Sequence, residues 1–246
     1  MTTTLRRSTD RKTANMSTRN GKQALIANAF GMASGKAYSC PGATEVCESV
    51  CYAGKLERLF PGMRATMLAN YNAVANATYA ELVEALSDMI DGFRADCVKR
   101  DADMAFRIHH DGDFLNRTYA SAWANVIRKN ADITFWVYTR SFIPGANVID
   151  IIADIPNLAV YLSVDSANSE YVRAIIDEYP SVHIAILSQT METGAGAMAD
   201  FRDRPGAKCP ENIKRIPLIT NAGGACFSCQ LCVKGNVDVR FAVTKR

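Results

Sequence analysis

The sequence has no apolar run long enough to cross a membrane, and only three of its 246 residues are histidines. A membrane-spanning helix needs roughly 18–20 consecutive apolar residues, which no window of this chain approaches. The residues before Lys22 are polar and basic and contain no apolar segment of the kind that secretory signal peptides carry. We therefore expect a protein that makes no use of a membrane and stays in a reducing cytoplasm.

Composition and charge indicate one folded unit with a basic leader. Apolar residues make up 48% of the chain and charged residues 22%, which is ordinary for a globular protein. A chain of this length supports one substantial core, so we predict a single domain over residues 23–246. The first 22 residues carry six Lys or Arg side chains and one acid, Asp10, whereas the remaining residues have a net charge of −2. We expect residues 1–22 to form a basic, disordered tail.

Hydrophobic periodicity divides the chain into a helical first part and a second part in which strands and helices alternate. Amphipathic helices are predicted over about 61–76 and 78–99. Short β-branched or aromatic runs then predict four strands, at Ala105–His109, Thr134–Tyr138, Leu158–Ser163 and His183–Leu187. Helices are predicted between these strands, at Asn116–Lys129, Ala146–Ile155 and Ser169–Tyr179. Two further runs, 215–219 and 237–243, are candidate final strands.

The strand spacing predicts a parallel β/α architecture, because each step is about the length of one βα unit. The glycine patterns of dinucleotide-binding and phosphate-loop folds are missing. The chain is also short for the eight units of a complete barrel. We therefore predict an α/β fold that is a partial TIM-like (β/α)6 barrel, with extra N-terminal helices and a cysteine-rich C-terminal loop.

The strongest chemical signal is the run Cys226-Phe-Ser-Cys229-Gln-Leu-Cys232, with Cys209 further upstream. Clustered cysteines in a reducing cytoplasm are more often metal ligands or redox groups than disulfides. Two-residue gaps let successive thiolates surround one centre, and a CxxCxxC run with a distant fourth cysteine suits a [4Fe-4S] cluster. We predict these four cysteines as metal ligands. A four-cysteine zinc site and a metal-free loop are the alternatives.

A second group of cysteines lies near the N-terminus, where Cys40, Cys47 and Cys51 are separated by six and three residues. Three cysteines on one loop can leave one iron of a cluster open to another ligand, so we predict that they bind a cofactor. Their spacing differs from the three-then-two spacing of radical enzymes, which argues against S-adenosylmethionine as that ligand. Buried thiols in an irregular loop, or one site shared with the C-terminal cysteines, are the alternatives. Cys97 falls in a predicted helix, where a free cysteine acts as a small buried hydrophobe.

Polar residues follow the predicted strands at the points where the strands end. His110 and Asp113 come after the first strand, and Arg140 comes after the second. The carboxyl ends of parallel strands meet on one face, which is where such folds bind ligands. We therefore predict His110, Asp113 and Arg140 as candidate catalytic residues on a substrate face. The alternative is that each side chain caps or hydrogen-bonds the loop beside it.

These motifs together resemble the mycobacteriophage gene-product-eighty-eight-like family, over nearly all of the chain after Lys22. The resemblance is carried by Cys40-Pro41, Cys47, Cys51-Tyr52-Ala53, Phe106–Phe114, Tyr138-Thr139, Cys209-Pro210 and the CxxCxxC run. It implies a phage origin and the host-cell cytoplasm as the setting. More distantly, the Cys-Tyr-Ala loop and the strand ending in Gly-Asp-Phe are similar to phage proteins grouped with radical S-adenosylmethionine enzymes. That similarity implies a partial barrel and iron–sulfur clusters.

The function predicted from these observations is that of a phage-encoded iron–sulfur protein. It would carry at least one [4Fe-4S] cluster and act in redox or radical chemistry, on an unknown substrate or with a host protein. The alternative is a non-enzymatic, zinc-stabilised module that binds a host protein or nucleic acid through its basic tail. A basic tail on a nearly neutral body gives nucleic-acid binding little support, because dedicated binders carry positive charge on the folded surface.

Overall fold

Seven parallel strands form the central sheet, and two more form a small antiparallel ribbon. The computed structural model describes residues 4–13, 21–22, 24–191, 197–220 and 223–243. In chain order the strands are β1 Ala29–Gly31, β2 Ala105–Asp111, β3 Thr134–Thr139, β4 Leu158–Val164, β5 His183–Ser188, β6 Ala207–Lys208, β7 Ile219–Thr220, β8 Gly223–Gly224 and β9 Val239–Ala242.

The described ranges also contain ten α-helices and two short 3-10 turns, Arg11–Thr13 and Ser169–Tyr171. The helices are α1 Glu45–Val50, α2 Tyr52–Leu59, α3 Pro61–Ala75, α4 Tyr79–Arg100, α5 Arg117–Lys129, α6 Ile149–Ile152, α7 Val172–Glu178, α8 Ala197–Asp200, α9 Ala225–Cys229 and α10 Leu231–Lys234. None of the helices in these ranges combines the length and the apolar character that a membrane crossing requires.

The strands of the sheet lie in the order β1-β2-β3-β4-β5-β9-β6, and every pairing is parallel. From β1 to β5 each strand therefore lies beside the next strand in the chain. Parallel neighbours need a crossover connection, and the helices supply it. Because such crossovers almost always have the same hand, a sheet wound in one direction carries its helices on one face.

One face of the sheet packs against those helices and forms the main core. Alternate strand residues such as Phe106, Val137 and Ile184 belong to this core together with Phe93 of α4 and Trp123 of α5. Phe106 contacts both Phe93 and Trp123, with ring centroids 5.1 and 6.3 Å apart. The period-two alternation of strand side chains then directs the intervening residues to the opposite face.

That opposite face, called here the second face, is covered by the C-terminal cysteine segment. Ala105 and Trp136 on the second face pack against Phe227 of α9. Tyr161 on β4 packs with Val239 on β9. The sheet therefore lies between a thick helical layer and a thin layer that contains the CxxCxxC run.

The predicted α/β class and the four predicted strands are confirmed, with boundaries that differ by at most two residues. The run over 237–243 contains β9, which joins the main sheet, as predicted. The run over 215–219 was a wrong strand prediction, because only Ile219 of it is extended, in the ribbon of β7 and β8. Residue 231 begins a helix, so the cysteine-rich segment consists largely of two short helices, not a loop.

The predicted count of six strands is wrong, because β1 and the two-residue β6 form the edges of a seven-stranded sheet. β1 has three residues, too few to show a period-two pattern. Its position also changes the role of the early helices. Helices α1–α4 connect β1 to β2, so they are part of the first crossover and not an extra N-terminal layer.

Residues 4–13 pack on the folded body, in contrast to the disorder expected for the whole segment 1–22. Leu5 is buried, and Ser8 pairs with Ala29 of β1 through two backbone hydrogen bonds. Asp10 forms an ion pair with Arg107 of β2. This docking is not evident from the polar sequence, because the segment is held by ion pairs and backbone hydrogen bonds in addition to apolar burial. Residues 1–3 and 14–20 lie outside the described residues.

We predict that Gly224→Ala destabilises the protein by about 2 kcal/mol, because a Cβ there overpacks the contact with the N-terminal segment. A Cβ built on Gly224 would lie 2.3 Å from the Lys12 carbonyl oxygen. The measurement is the free energy of unfolding in urea. Gly62→Ala in α3 is the control, since a Cβ there meets nothing within 4 Å. Equal stability of the Gly224→Ala variant and the wild type would contradict the docking of residues 8–13.

Candidate functional site

Two left-handed residues shape the C-terminal cysteine segment. Gln230, with φ of 58°, separates α9 from α10, and Gly235, with the same φ, follows α10. The turn at Gln230 lets Cys226 and Cys229 on α9 and Cys232 on α10 approach one another. A Cβ on Gly235 would lie 2.4 Å from the Cβ of Ala159, so the end of α10 sits directly on β4.

The four C-terminal thiols share one electrostatic neighbourhood centred on Cys232. Burial, and to a smaller extent the neighbouring thiols of Cys209 and Cys229, raises the pKa of Cys232 to about 11. A hydrogen-bonding interaction with the Tyr138 hydroxyl opposes this rise. Cys226 is also an electrostatic neighbour of Cys232. The four cysteines that the sequence predicts as ligands therefore lie in one region of the protein, near enough for their charges to interact.

Positive groups and amide donors surround these thiols. Burial raises the pKa of Cys226 well above its usual range, while the Arg107 guanidinium acts in the opposite direction. Burial also raises the pKa of Cys209, against the backbone amides of Asn212 and Glu211 and the ammonium of Lys12. Cationic and N–H groups of this kind stabilise thiolates in preference to thiols.

The donor set fits an anionic metal–thiolate group: four cysteines, surrounding cations and a hydroxyl donor. Within the residues that the structure describes, no three His, Cys, Asp or Glu side chains are arranged to hold a metal ion. The four thiols would therefore have to reorient when a metal centre is loaded. All four are partly exposed and free, so their side chains have room to do so.

The N-terminal cysteine loop is seated on the carboxyl ends of β3 and β4. Gly42 lies so close to β3 that a Cβ on it would be 2.0 Å from the Arg140 carbonyl oxygen. Thr44 caps α1 by accepting the Cys47 amide hydrogen at 3.0 Å, and its hydroxyl donates to Asp165 Oδ2 at 2.7 Å. Cys47 is therefore positioned by a residue that is itself bonded to the end of β4.

Cys40, Cys47 and Cys51 lie together over the strand ends. Burial raises the pKa of Cys40 and of Cys47, and each of these thiols interacts with the next cysteine of the group. Backbone amides of Gly35 and Gly54 donate to the sulfurs of Cys40 and Cys51 at 3.4 and 3.3 Å. The structure thus gathers the second predicted group as well, at the edge where the sequence predicts a functional face.

Two of the predicted catalytic residues are fully engaged in holding this edge together. The buried carboxylate of Asp113 accepts from the Phe114 amide, the Thr139 hydroxyl and the Arg140 amide, at 2.6–2.7 Å. Arg140 is buried and pairs with the buried Asp165 at 2.6 Å. Internal bonds of this kind favour the structural alternative for Asp113 and Arg140.

The neighbouring histidines have different environments. His109 has φ of 54°, which turns its ring into the helix-facing core, where its Nε2 lies 2.9 Å from the Tyr119 hydroxyl. Burial lowers the pKa of His109 to about 3 and that of His110 to about 4. Within the described residues, Nε2 of His110 has no hydrogen-bond partner. Of the predicted catalytic residues, His110 is the one with a buried polar side-chain atom that lacks a partner among the described residues.

Sequence reasoning missed Arg107, which joins the two cysteine groups. Its guanidinium pairs with Asp10, donates to the Tyr52 hydroxyl at 3.3 Å and lies 5.4 Å from the ring centre of Tyr138. Tyr52 follows Cys51 in the chain, and Arg107 acts on Cys226 from the other side. A signal was present in the sequence, since an arginine between Phe106 and Ile108 in a core strand requires a buried partner.

A buried carboxyl pair, Glu57 and Asp111, lies beneath the N-terminal cysteine loop. The two carboxyl groups interact, and Glu57 also accepts from the amide and hydroxyl of Ser34. By distance and angle neither oxygen of Asp111 has a hydrogen-bond partner in the described part of the chain, although the Glu57 carboxyl and the Gly112 amide lie near enough to influence its pKa. Burial, and secondarily the charge of Glu57, raises the pKa of Asp111 to about 8. Asp111 therefore carries a proton at neutral pH.

A cleft of about 950 Å³ opens at the other end of the sheet, beside the amino ends of β2–β4. Its lining includes Phe135, Leu158, Phe227 and Lys234, and none of the predicted site residues. The predicted chemistry is therefore concentrated on the second face and at the carboxyl ends of the strands.

Comparison with known proteins identifies the family. The family model described as Gene product 88 matches residues 3–235. The chain belongs to this family. It is 41% identical over 245 residues to the Gene 88 protein of Mycobacterium phage L5, covering 98% of this chain and 99% of that relative. It is 39% identical over 246 residues to the Gene 88 protein of Mycobacterium phage D29, with the same coverage.

The matches confirm the resemblance to the phage family that the cysteine motifs indicate. No solved structure matches the chain. The more distant similarity to radical S-adenosylmethionine enzymes receives no support from these comparisons, and the partial barrel that it implies stays a prediction.

We predict that Asp111→Asn stabilises the protein increasingly as the pH rises from 5 to 8. The native state keeps the Asp111 proton up to about pH 8. The unfolded chain releases that proton near pH 4, so wild-type stability falls with pH between these values. An asparagine removes this loss, and the gain over the wild type should grow by about 2–4 kcal/mol between pH 5 and pH 8. The measurement is the free energy of unfolding in urea, for both proteins, at several pH values between 5 and 8.

Asp203→Asn is the matched control for Asp111→Asn. Asp203 is an exposed carboxylate whose pKa the hydrogen bond from Arg173 lowers to about 2. It is ionised in both states from pH 5 to pH 8, so its substitution should change stability by the same amount throughout this range. If the stability difference between Asp111→Asn and the wild type also stays constant from pH 5 to pH 8, Asp111 is ionised in the folded protein.

Proposed function

We propose that this member of the Gene product 88 family is an iron–sulfur protein. Its [4Fe-4S] cluster would be bound by Cys209, Cys226, Cys229 and Cys232 on the second face of the sheet, and the protein would act in the cytoplasm of the infected host. The observation that carries the proposal is the CxxCxxC run on two short helices, in which Cys232 interacts electrostatically with Cys226, with Cys229 and with Cys209, 17 positions before Cys226. This is the arrangement expected of a CxxCxxC run completed by a distant cysteine.

The surroundings of the four thiols support an anionic centre. Four thiolates bring more negative charge than the cluster's irons and sulfides neutralise, so a buried cluster needs nearby donors and cations. Arg107, Lys12 and the Tyr138 hydroxyl supply them here. When bound, the cluster would supply one-electron redox chemistry, and these residues would set how readily it accepts an electron.

A more specific proposal is that the protein has a partial barrel and carries out redox or radical chemistry. The supporting observation is the position of Cys40, Cys47 and Cys51 over the carboxyl ends of the strands, the edge at which β/α folds bind ligands. His110 lies on the same end of β2, and its buried Nε2 has no hydrogen-bond partner among the described residues. Calorimetric titration of the anaerobic protein with S-adenosylmethionine tests the radical part of this proposal, and absence of binding would exclude radical chemistry with that cofactor.

We predict that Cys229→Ala removes most of the bound iron. A cubane cluster that loses one of its four thiolates loses a bond to one iron and becomes labile. The measurement is iron and acid-labile sulfide per chain after anaerobic purification, together with the broad absorption near roughly 400 nm that is typical of such clusters.

Cys97→Ala is the control for Cys229→Ala. Cys97 is the fully buried thiol of α4, away from both cysteine groups, and its substitution should leave the iron content unchanged. Stoichiometric zinc in colourless protein would instead favour the zinc-stabilised module. Equal iron content in the Cys229→Ala variant and the wild type would overturn the ligand assignment.

A further inference from the structure

We propose that Arg107 is the countercharge of the C-terminal thiol site, held towards Cys226 by Asp10 and Tyr52. Arg107 lies on β2 between Phe106 and Ile108, whose side chains belong to the helix-facing core. Its own side chain therefore lies on the second face, where it is only 11% exposed. A guanidinium buried to this degree requires partners for its charge and its N–H groups.

The partners that hold the guanidinium come from two segments on the N-terminal side of the chain. One terminal nitrogen bonds Asp10, and the other donates to the Tyr52 hydroxyl, which in turn donates to the His110 carbonyl at 2.7 Å. Nε of Arg107 is buried and has no hydrogen-bond partner among the described residues. The Nε–H donor of the guanidinium is thus left for an acceptor that is not part of this network.

The C-terminal segment approaches Arg107 from the open side. Phe227 packs on Ala105 and Trp136, which flank Arg107 on the second face, and it places Cys226 one residue away. Tyr138, whose ring lies against the guanidinium, packs with Cys232 in the same cluster. The contact of Gly224 with the Lys12 carbonyl closes the N-terminal segment over this arrangement. The sulfur of Cys226 is therefore the acceptor that lies on the open side of Arg107.

Such a countercharge has two consequences. In the metal-free protein it attracts anions to Cys226. In the cluster-loaded protein it stabilises the more negative, reduced form, so the reduction potential is higher with Arg107 than without it. The second consequence rests on the proposed function, whereas the first does not require a cluster.

The first experiment uses the metal-free full-length chain and compares alkylation of Cys226 by iodoacetate, an anion, and by iodoacetamide, which is neutral. The ratio of the two rates, read by peptide mass spectrometry, reports local charge independently of how much thiolate is present. We expect Arg107→Gln to lower the ratio at Cys226 about fivefold, the size of one charge interaction at about 4 Å in water. Arg107→Lys, which retains the positive charge, should keep most of the wild-type ratio.

Two controls confine the effect to this site. The ratio at Cys47, whose thiol interacts with Arg140, should not change in Arg107→Gln. Arg240 on β9 is buried and is paired with the core residue Ile186, so its side chain lies on the helix-facing side of the sheet. Arg240→Gln should therefore leave the ratio at Cys226 unchanged. If Arg107→Gln does not fold, the double variant Asp10→Asn/Arg107→Met, a replacement of both charges that proteins often tolerate, is compared with Asp10→Asn, so that the two proteins differ in the charge at position 107.

The second experiment measures the midpoint potential of the anaerobically reconstituted protein, which should be more negative in Arg107→Gln than in the wild type and in Arg107→Lys. An unchanged alkylation ratio at Cys226 in the neutral variants would overturn the inference, whatever the iron content. A lowered ratio in a protein that assembles no cluster would uphold the countercharge and overturn the proposed function.

Discussion

A guanidinium buried on the second face of the sheet is the constraint on which the candidate site depends. Arg107 brings a positive charge into the interior, and Asp10, far away in the chain, must dock to neutralise it. Docking of residues 8–13 then covers the C-terminal segment at Gly224. The contact with Tyr52 ties the same charge to the N-terminal cysteine loop. One side chain thus connects both ends of the chain to β2 of the sheet.

The direction of the sheet explains why the cysteines form two groups. A parallel sheet with its helices on one face leaves a second face to be covered and gathers loops at its carboxyl edge. The C-terminal segment covers the second face and carries Cys226, Cys229 and Cys232 with it. The loop between β1 and α2 lies at the carboxyl edge, bonded to Asp165, and carries Cys40, Cys47 and Cys51. The separation of the two groups is therefore a property of the topology.

Local pattern predicts much of this fold and of the ligand set, and long-range contacts account for what it misses. Alternating apolar residues identify β4 because they report directly on burial of one strand face. The pairing of Asp10 with Arg107 joins residues 97 positions apart, so no local window reveals that residues 4–13 are folded. Similarly, Asp113 appears as a free polar group in the sequence, and only the neighbouring strand shows that its oxygens are occupied.

The most direct test of the account is the metal and sulfide content of the full-length protein purified without oxygen. A [4Fe-4S] cluster on the second face predicts about four irons and four sulfides per chain, or about twice that if the N-terminal cysteines hold a second cluster, with negligible zinc. One zinc per chain without sulfide, or no metal at all in a protein that unfolds cooperatively, would contradict it.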